Sequence, residues 1–157
     1  KKPVWIEGIS FCTAEPSIDT WEWGAANYCS IAAKKAYKMA GIKSPSNEIS
    51  FAEVDDRYAH KFLAHMEALG LTGYGIAGEL LMNGAFEREG EFPVNSSGGH
   101  FGIGMMHEAA CLYQLREAVL QLRGEAGQRQ IENVETGLVQ SWRGLPTQTG
   151  AVAILRN

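Results

Sequence analysis

One uncharged, glycine-rich segment, FPVNSSGGHFGIG at residues 92–104, is a place in this sequence where chemistry could occur. Its consecutive glycines, Gly98 and Gly99, tolerate positive φ and let a ligand approach the backbone where a Cβ atom would block it. A turn of this kind that leads into a helix can also present free backbone N–H groups to an anion or an oxyanion. The residues alone leave two interpretations open, a backbone-lined binding site and a tight packing turn.

The acidic pair Asp55-Asp56 is a second group that could act chemically. It follows the apolar stretch EISFAEV (48–54) and precedes a helical pattern, so it could cap that helix or serve a site. His107 lies near the start of a later helix, where a pocket-facing and a solvent-facing orientation are equally compatible with the pattern. His100, directly after the glycine pair, is interpreted as a loop residue. Because the histidines and cysteines show no metal-binding spacing, no metal site is predicted.

Strand and helix patterns alternate along the chain and must position these residues. Short apolar runs predict strands at 4–12, 48–54, 134–142 and 150–155. Periodic apolar residues predict helices from residue 25 to 40, from 58 to about 69, over about 75–83, and from 112 to Gly124 or Gly127. This order indicates an α/β layered fold with a mixed sheet.

The first predicted helix carries a stripe of small residues at helical spacing, which lets another backbone approach closely. We therefore expect a central helix that is packed on both sides. The stripe consists of Ala25, Cys29, Ala32, Ala36 and Ala40, and Gly41 ends it.

Length and composition are typical of one globular domain spanning 1–157. The chain has 157 residues, 45% of them hydrophobic and 20% charged. Its net charge of −4 argues against nucleic acid or an anionic membrane as a partner. Its three cysteines, an odd number, favour free thiols in a reducing compartment. With no apolar run of membrane-spanning length, the expectation is a cytoplasmic protein.

Several segments, in the right order, resemble the C-terminal half of the thiolase superfamily. VNSSGGHFGIGMMHEAACLYQLREAVLQLRG (94–124) is similar to the family's Asn-x-Ser-Gly-Gly, four residues, Gly-His-Pro and small-residue helix. ISFAEVDDRYAHKFLAHMEALGL (49–71) is similar to the strand, His-Asp-Cys-Phe motif and helix of sterol-carrier-protein-type thiolases. KPVWIEGIS (2–10) and GLPTQTGAVAILRN (144–157) also resemble that half. Thiolase-like aldolases of steroid side chains and thiolases of aromatic-compound degradation resemble this subgroup.

The resemblance implies a half thiolase fold, a mixed five-stranded sheet covered by helices. It places the glycine-rich turn at a coenzyme A thioester, which is the substrate, and it implies no covalently bound cofactor. The family's nucleophilic Cys is carried by the N-terminal half, and none of Cys12, Cys29 and Cys111 corresponds to it.

The sequence departs from the family pattern at its chemistry. The histidine of His-Asp-Cys-Phe corresponds to Asp55, its Asp to Asp56 and its Phe to Tyr58, while the histidine of Gly-His-Pro corresponds to Met105. Since Met cannot transfer a proton, the resemblance implies that Asp55, with Tyr58 or His107, supplies proton transfer. It implies a thioester pocket shaped by Asn95, Ser97, Gly98, Gly99 and Met105.

Three functions remain open at this point. The chain could be half of an active enzyme that cleaves or forms a C–C bond in an acyl-CoA by a retro-Claisen or retro-aldol reaction. Its partners would then be an N-terminal thiolase half or a full thiolase subunit, and an OB-fold zinc-ribbon protein. It could instead be a non-catalytic scaffold subunit of an acyl-CoA enzyme complex, or a module that binds a small molecule or lipid.

Overall fold

A computed structural model of the chain describes residues 2–15, 17, 19, 22, 24–104, 106, 109–144 and 148–157. Their helices and strands are, in chain order, β1 Trp5–Thr13, α1 Asn27–Ala40, α2 Pro45–Glu48, β2 Phe51–Glu53, α3 Ala59–Ala68, α4 Ala77–Met82, α5 Gly99–Ile103, α6 Ala110–Arg123, a 3₁₀ turn Gly127–Arg129, β3 Thr136–Arg143 and β4 Thr149–Arg156. Every predicted strand and helix has a counterpart, although β2 is shorter than the apolar run that predicted it.

The sheet is mixed and its strand order is β1-β4-β3-β2. β4 pairs antiparallel with β1 and β3, and β2 pairs parallel with β3. The α/β class is confirmed, but the described residues form four strands rather than the expected five. On the outer edge of β2, the described part of the chain forms only an isolated parallel bridge between Ala52 and Val94. The ladder stops there because Pro93 has no N–H group and Asn95 turns away at a φ of 54°.

Helices cover both faces of this sheet. On one face, α1 and α3 pack against side chains of β3 and β4 such as Leu138 and Ile154. On the other face, α6 packs against their sequence neighbours Val139 and Leu155. The alternation of side chains along each strand therefore builds two separate cores, one on each face.

The small-residue stripe of α1 brings the helix unusually close to the sheet. A Cβ atom on Gly8 of β1 would lie 2.2 Å from the carbonyl oxygen of Ala36, so glycine is required at that position. α1 also contacts β4 and, on another side, α3. The expectation of a central, closely packed helix is confirmed, and Gly41 ends the helix in the left-handed conformation with a φ of 71°.

The acidic pair before α3 does not cap that helix. Its N-cap residue is Tyr58, and no side chain accepts a hydrogen bond there. The capping interpretation of Asp55-Asp56 is therefore wrong, because both carboxylates have partners elsewhere. No helix in the described part of the chain is long and apolar enough to cross a membrane.

Candidate functional site

The glycine-rich turn, residues 94–104, has four positions of positive φ. These are Asn95 at 54°, Gly98 at 97°, Gly99 at 58° and Gly104 at 83°. The Gly98 N–H donates to the Asn95 carbonyl at 2.8 Å, and the Gly99 N–H donates to the Ser97 hydroxyl at 3.2 Å. The sequence left open a backbone-lined site and a tight packing turn, and these two N–H groups bond within the turn itself.

Glycine is required at position 99 because a carboxylate lies against its backbone. A Cβ atom on Gly99 would come within 2.1 Å of Asp56 Oδ2. A Cβ atom on Gly102, further along α5, would meet no neighbouring atom within 4 Å. Gly99 therefore permits the close approach of Asp56 to the turn.

Asp56 and His100 form a buried acid–imidazole pair at this point. The Oδ1 atom of Asp56 accepts hydrogen bonds from the backbone N–H and from ring Nδ1 of His100, both at 2.8 Å. The side chains of His100 and Asp56 are only 5% and 10% exposed. Because a carboxylate only accepts, the pairing assigns the hydrogen of a neutral imidazole to Nδ1 and leaves the lone pair on Nε2. Nε2 is buried and has no hydrogen-bond partner among the described residues.

A carboxylate that orients an imidazole through Nδ1 prepares Nε2 to accept a proton, as in many catalytic sites. The sequence does not predict this pair, because His100 lies in a segment whose pattern is typical of a loop. The two residues are 44 positions apart, so no local pattern connects them. The usable signal was the match of Asp56 to the family's Asp, combined with a histidine directly after the glycine pair.

A second carboxylate, that of Glu53 at the end of β2, holds the turn in place through hydrogen bonds. It is fully buried and accepts hydrogen bonds from the Ser97 hydroxyl at 2.5 Å, the Ser97 N–H at 3.0 Å and the Ser96 hydroxyl at 3.2 Å. Burial raises the pKa of Glu53 to about 7, against the opposing effect of the Ser97 hydrogen bonds. Ser97, expected to shape the thioester pocket, is thus directed at Glu53.

Helix α6 is tied to the same turn through a polar network. Gln121 donates from Nε2 to the Ser96 hydroxyl at 3.2 Å and to Glu117 at 3.1 Å. Glu117 is fully buried and is paired with Arg129 at 2.8 Å. The turn is therefore positioned by β2 and α6 together, through side chains that sequence reasoning did not single out.

Asp55 has a different environment from Asp56. Its carboxylate is buried and accepts hydrogen bonds from Arg57 Nε at 3.1 and 3.0 Å, with a further contact to Arg57 Nη2 at 2.8 Å. The guanidinium lies over the Trp142 ring, 5.3 Å from its centroid. Among the described residues, no hydrogen bond joins the Asp55 carboxylate to the glycine turn. The main chain provides the connection, since the Val54 N–H donates to Asn95 Oδ1 at 2.7 Å.

The remaining predicted site residues lie around Asp55 or outside the described residues. Tyr58 is 56% exposed, and its ring packs edge-on against Trp142 at 6.0 Å between centroids. Met105 and His107 fall outside the described residues. Cys111 follows them in sequence, in the first turn of α6. Burial raises the pKa of its thiol, and the nearby Asp55 carboxylate raises it further.

A buried histidine adjoins Asp55 through the main chain. His65 Nε2 pairs with the Tyr28 hydroxyl at 3.0 Å, and Nδ1 lies 3.4 Å from the Asp55 carbonyl oxygen. Burial lowers the pKa of His65 to about 4, so this ring is neutral at physiological pH. No group of three or more His, Cys, Asp or Glu side chains in the described residues could hold a metal ion.

Comparisons with known proteins agree with this fold and with the family resemblance. The family model described as "Thiolase C-terminal domain-like" matches residues 11–157. Acetyl-CoA acetyltransferase from Methanothermobacter thermautotrophicus is 37% identical over 113 residues, which cover 72% of this chain and 29% of that protein. Sterol carrier protein 2 from Oryctolagus cuniculus is 36% identical over 107 residues, which cover 68% of this chain and 19% of that protein.

A solved structure named "Ltp2-ChsH2(DUF35) aldolase" superposes with a TM-score of 0.85 at 25% identity. The match covers 98% of this chain and 39% of the aldolase chain. The chain spans less than a third of the length of the acetyltransferase and of sterol carrier protein 2. The resemblance to sterol-carrier-type and aldolase-type thiolases is confirmed, and the chain belongs to the thiolase C-terminal domain-like family.

Proposed function

We propose that this chain is the C-terminal half of a thiolase-like enzyme that cleaves or forms a C–C bond beside the thioester of an acyl-CoA. The reaction is a retro-Claisen or a retro-aldol cleavage, or its reverse. The nucleophile comes from an N-terminal half, on a separate polypeptide or on residues beyond this sequence. The names of the similar proteins, an acetyltransferase and an aldolase, support both reaction types.

The observation that carries this proposal is the Asp56–His100 pair at the glycine turn. Both reactions pass through an enolate stabilised at the thioester, so a group must move a proton to or from the α-carbon. In the condensing direction Nε2 accepts the α-proton and Asp56 stabilises the imidazolium that results. In the cleaving direction the imidazolium returns that proton to the enolate carbon.

The residues inferred from the family pattern keep their proposed roles around this pair. Asn95, Gly98 and Gly99 shape the thioester pocket through the backbone of the turn. Asp55 assists proton transfer with Tyr58 or His107, once Arg57 has been displaced from its carboxylate. The proposed pocket also includes Met105, while Ser97 supports the pocket indirectly by fixing the turn on Glu53.

The partners we propose are an N-terminal thiolase half or full thiolase subunit, and an OB-fold zinc-ribbon protein. The outer strand β1 supports an association, since it exposes large apolar side chains. Ile9 is 57% exposed and Phe11 is 71% exposed. A surface of this kind commonly marks a protein interface. The three free cysteines support our placement of the chain in the reducing cytoplasm.

The experiment is to copurify the chain with its N-terminal half and to assay the complex on acetoacetyl-CoA and on aromatic and steroidal CoA thioesters. His100→Gln should lower kcat by about 100-fold or more with little change in KM, because it removes a proton acceptor. His60→Gln is the matched control, because His60 is exposed on α3. An active complex in which His100→Gln is as fast as the wild type would contradict the role of the pair.

A non-catalytic scaffold is the second candidate, and the Asp55–Arg57 ion pair favours it. Asp55 stands at the position of a family histidine, and here its carboxylate is occupied by a neighbouring guanidinium. A complex that is inactive on every thioester, although it binds CoA esters, would support the scaffold. In an active complex, Asp55→Asn would show whether this carboxylate takes part in turnover.

A further inference from the structure

A mostly apolar cavity of about 420 Å³ adjoins the glycine turn on the side of α3 and α4. The rings of Phe62 and Phe86 meet edge-on at its wall, with 6.1 Å between centroids. Leu63, Val94 and Phe101 complete most of the apolar lining. Phe101 is 75% exposed, so the cavity opens to the surface at α5. A ligand can therefore enter from the turn without unfolding the core.

One end of the cavity is polar, and it is formed by residues of the candidate site. Asp56 and Asn95 line this end. Asp56 is the residue whose Oδ1 atom orients His100, and Asn95 is the first residue of positive φ in the turn. The cavity is thus continuous with the place where we locate the thioester.

The charge of the lining restricts what can bind. Asp56 and Glu87 contribute two carboxylates, and none of the described residues that line the cavity is a Lys or an Arg. An anionic group would lose its hydration here and would face like charges. The phosphates of coenzyme A and acyl groups that end in a carboxylate are therefore disfavoured.

We propose that this cavity is the acyl site, and that it takes the uncharged apolar acyl group of a CoA thioester. This inference rests on the proposed function, because it assumes a thioester at the turn. Cavities of about 150 Å³ already hold benzene, so a space of about 420 Å³ accommodates a medium-length or aromatic acyl group. Two-carbon acyl groups would leave it largely empty.

The test measures binding of acetyl-CoA, octanoyl-CoA and succinyl-CoA to the full chain by calorimetry. Octanoyl-CoA should bind at least tenfold more tightly than the other two, because each buried methylene group favours binding. Leu63→Trp fills the cavity and should abolish this preference. Leu112→Trp is the matched control, since Leu112 is 68% exposed on α6.

A second cavity-filling variant keeps the test decisive if Leu63→Trp does not fold. Ala59 is exposed on α3 and also lines the cavity, so Ala59→Phe should reduce octanoyl-CoA binding without disturbing the core. Equal affinity for all three thioesters, or a preference that survives both filling variants, would overturn the acyl site and leave the proposed function standing.

Uncharged octanamide separates the remaining outcomes. If no CoA thioester binds but octanamide does, and Leu63→Trp prevents it, the proposed function fails while the apolar site stands. If octanamide does not bind either, both proposals fail.

Discussion

The adjacent residues Asp55 and Asp56 carry the same side chain and have different chemical surroundings. Asp55 pairs with Arg57, two positions away in sequence, whereas Asp56 pairs with His100, 44 positions away. Each aspartate also has a histidine beside it. Asp56 contacts His100 through its carboxylate, and Asp55 contacts His65 only through its carbonyl oxygen.

This difference shows how packing decides the chemistry of identical groups. The guanidinium of Arg57 satisfies the Asp55 carboxylate within its own loop, so that acid requires little from the rest of the fold. Asp56 becomes an orienting group only because β2, the bridge at Val94 and the glycine turn bring His100 to it. The non-local pair is therefore the one that the fold has to build, and the one most sensitive to changes in the turn.

Gly99→Ala should produce the largest effect on this comparison. The added Cβ atom would lie 2.1 Å from Asp56 Oδ2, at a φ of 58° that alanine adopts poorly. We expect a loss of about 4 kcal/mol in the free energy of unfolding, from steric overlap, backbone strain and the displaced carboxylate. Urea denaturation measures it.

Gly102→Ala is the control for that prediction, because a Cβ atom there meets nothing within 4 Å. It should change the free energy of unfolding by less than about 1 kcal/mol. Equal losses in the two variants would mean that the contact between Asp56 and the turn does not determine the requirement for glycine.

Removing each aspartate's charge should give the next largest effect. Asp56→Asn breaks a buried, charge-assisted pair and should cost about 3 kcal/mol in the free energy of unfolding. Asp55→Asn should cost less, about 2 kcal/mol, because the amide oxygen can still accept a hydrogen bond from Arg57 and the guanidinium, 18% exposed, can turn partly toward water. Thermal or urea unfolding of the two variants side by side gives the ratio, and a larger loss for Asp55→Asn would reverse our ranking.

Local patterns were enough to predict α1 and its close approach to the sheet. The spacing of Cys29, Ala32 and Ala36 records the small face directly, and Gly41 marks the end of the helix. The family motifs likewise located the turn and its neighbour β2. These features could be predicted because each depends on residues that are close together in sequence.

The parts that could not be predicted depend on contacts between distant segments. The missing fifth strand follows from Pro93 and Asn95, whose effect depends on how Val94 meets Ala52. The burial of Glu53 is also tertiary, since its partners Ser96 and Ser97 lie on the turn rather than on its own strand. A single sequence without its contacts gives no reason to prefer Glu53 over any other acid beside a strand.

Glu53 extends the comparison to pH. Its pKa rises from an unfolded value of 4.5 to about 7 in the folded protein, so the folded state binds the proton more tightly. Stability from this group is fully present below pH 4.5 and is lost as pH rises through about 7, by roughly 3 kcal/mol. Glu53→Gln should remove this dependence, which is measured as the wild-type minus variant difference in unfolding free energy across pH 4.5–7.

The titration of His65 changes stability with pH in the opposite direction, over a similar pH range. Its pKa falls from 6.5 to about 4, so its contribution is present above pH 6.5 and is lost as pH falls toward 4. Subtracting the Glu53→Gln curve cancels this term because both proteins contain His65. A difference curve that is flat, or that rises with pH, would contradict the assignment to Glu53.

The smallest effect should come from the histidine beside Asp55. Tyr28→Phe removes the hydroxyl that lies 3.0 Å from His65 Nε2, and leaves that buried nitrogen without its partner. The expected cost is about 1 kcal/mol in the free energy of unfolding. Tyr74→Phe is the control and should have no effect, because Tyr74 is 91% exposed.

Activity assays extend the same comparison, because the two histidines should contribute differently to kcat. In an active complex Tyr28→Phe should leave kcat unchanged, since His65 holds only the main chain of Asp55. A fall in kcat as large as that of His100→Gln would show that the Asp55 side of the site transfers the proton. The main-chain contact of His65 would then matter for turnover, and the assignment of that step to Asp56 and His100 would be wrong.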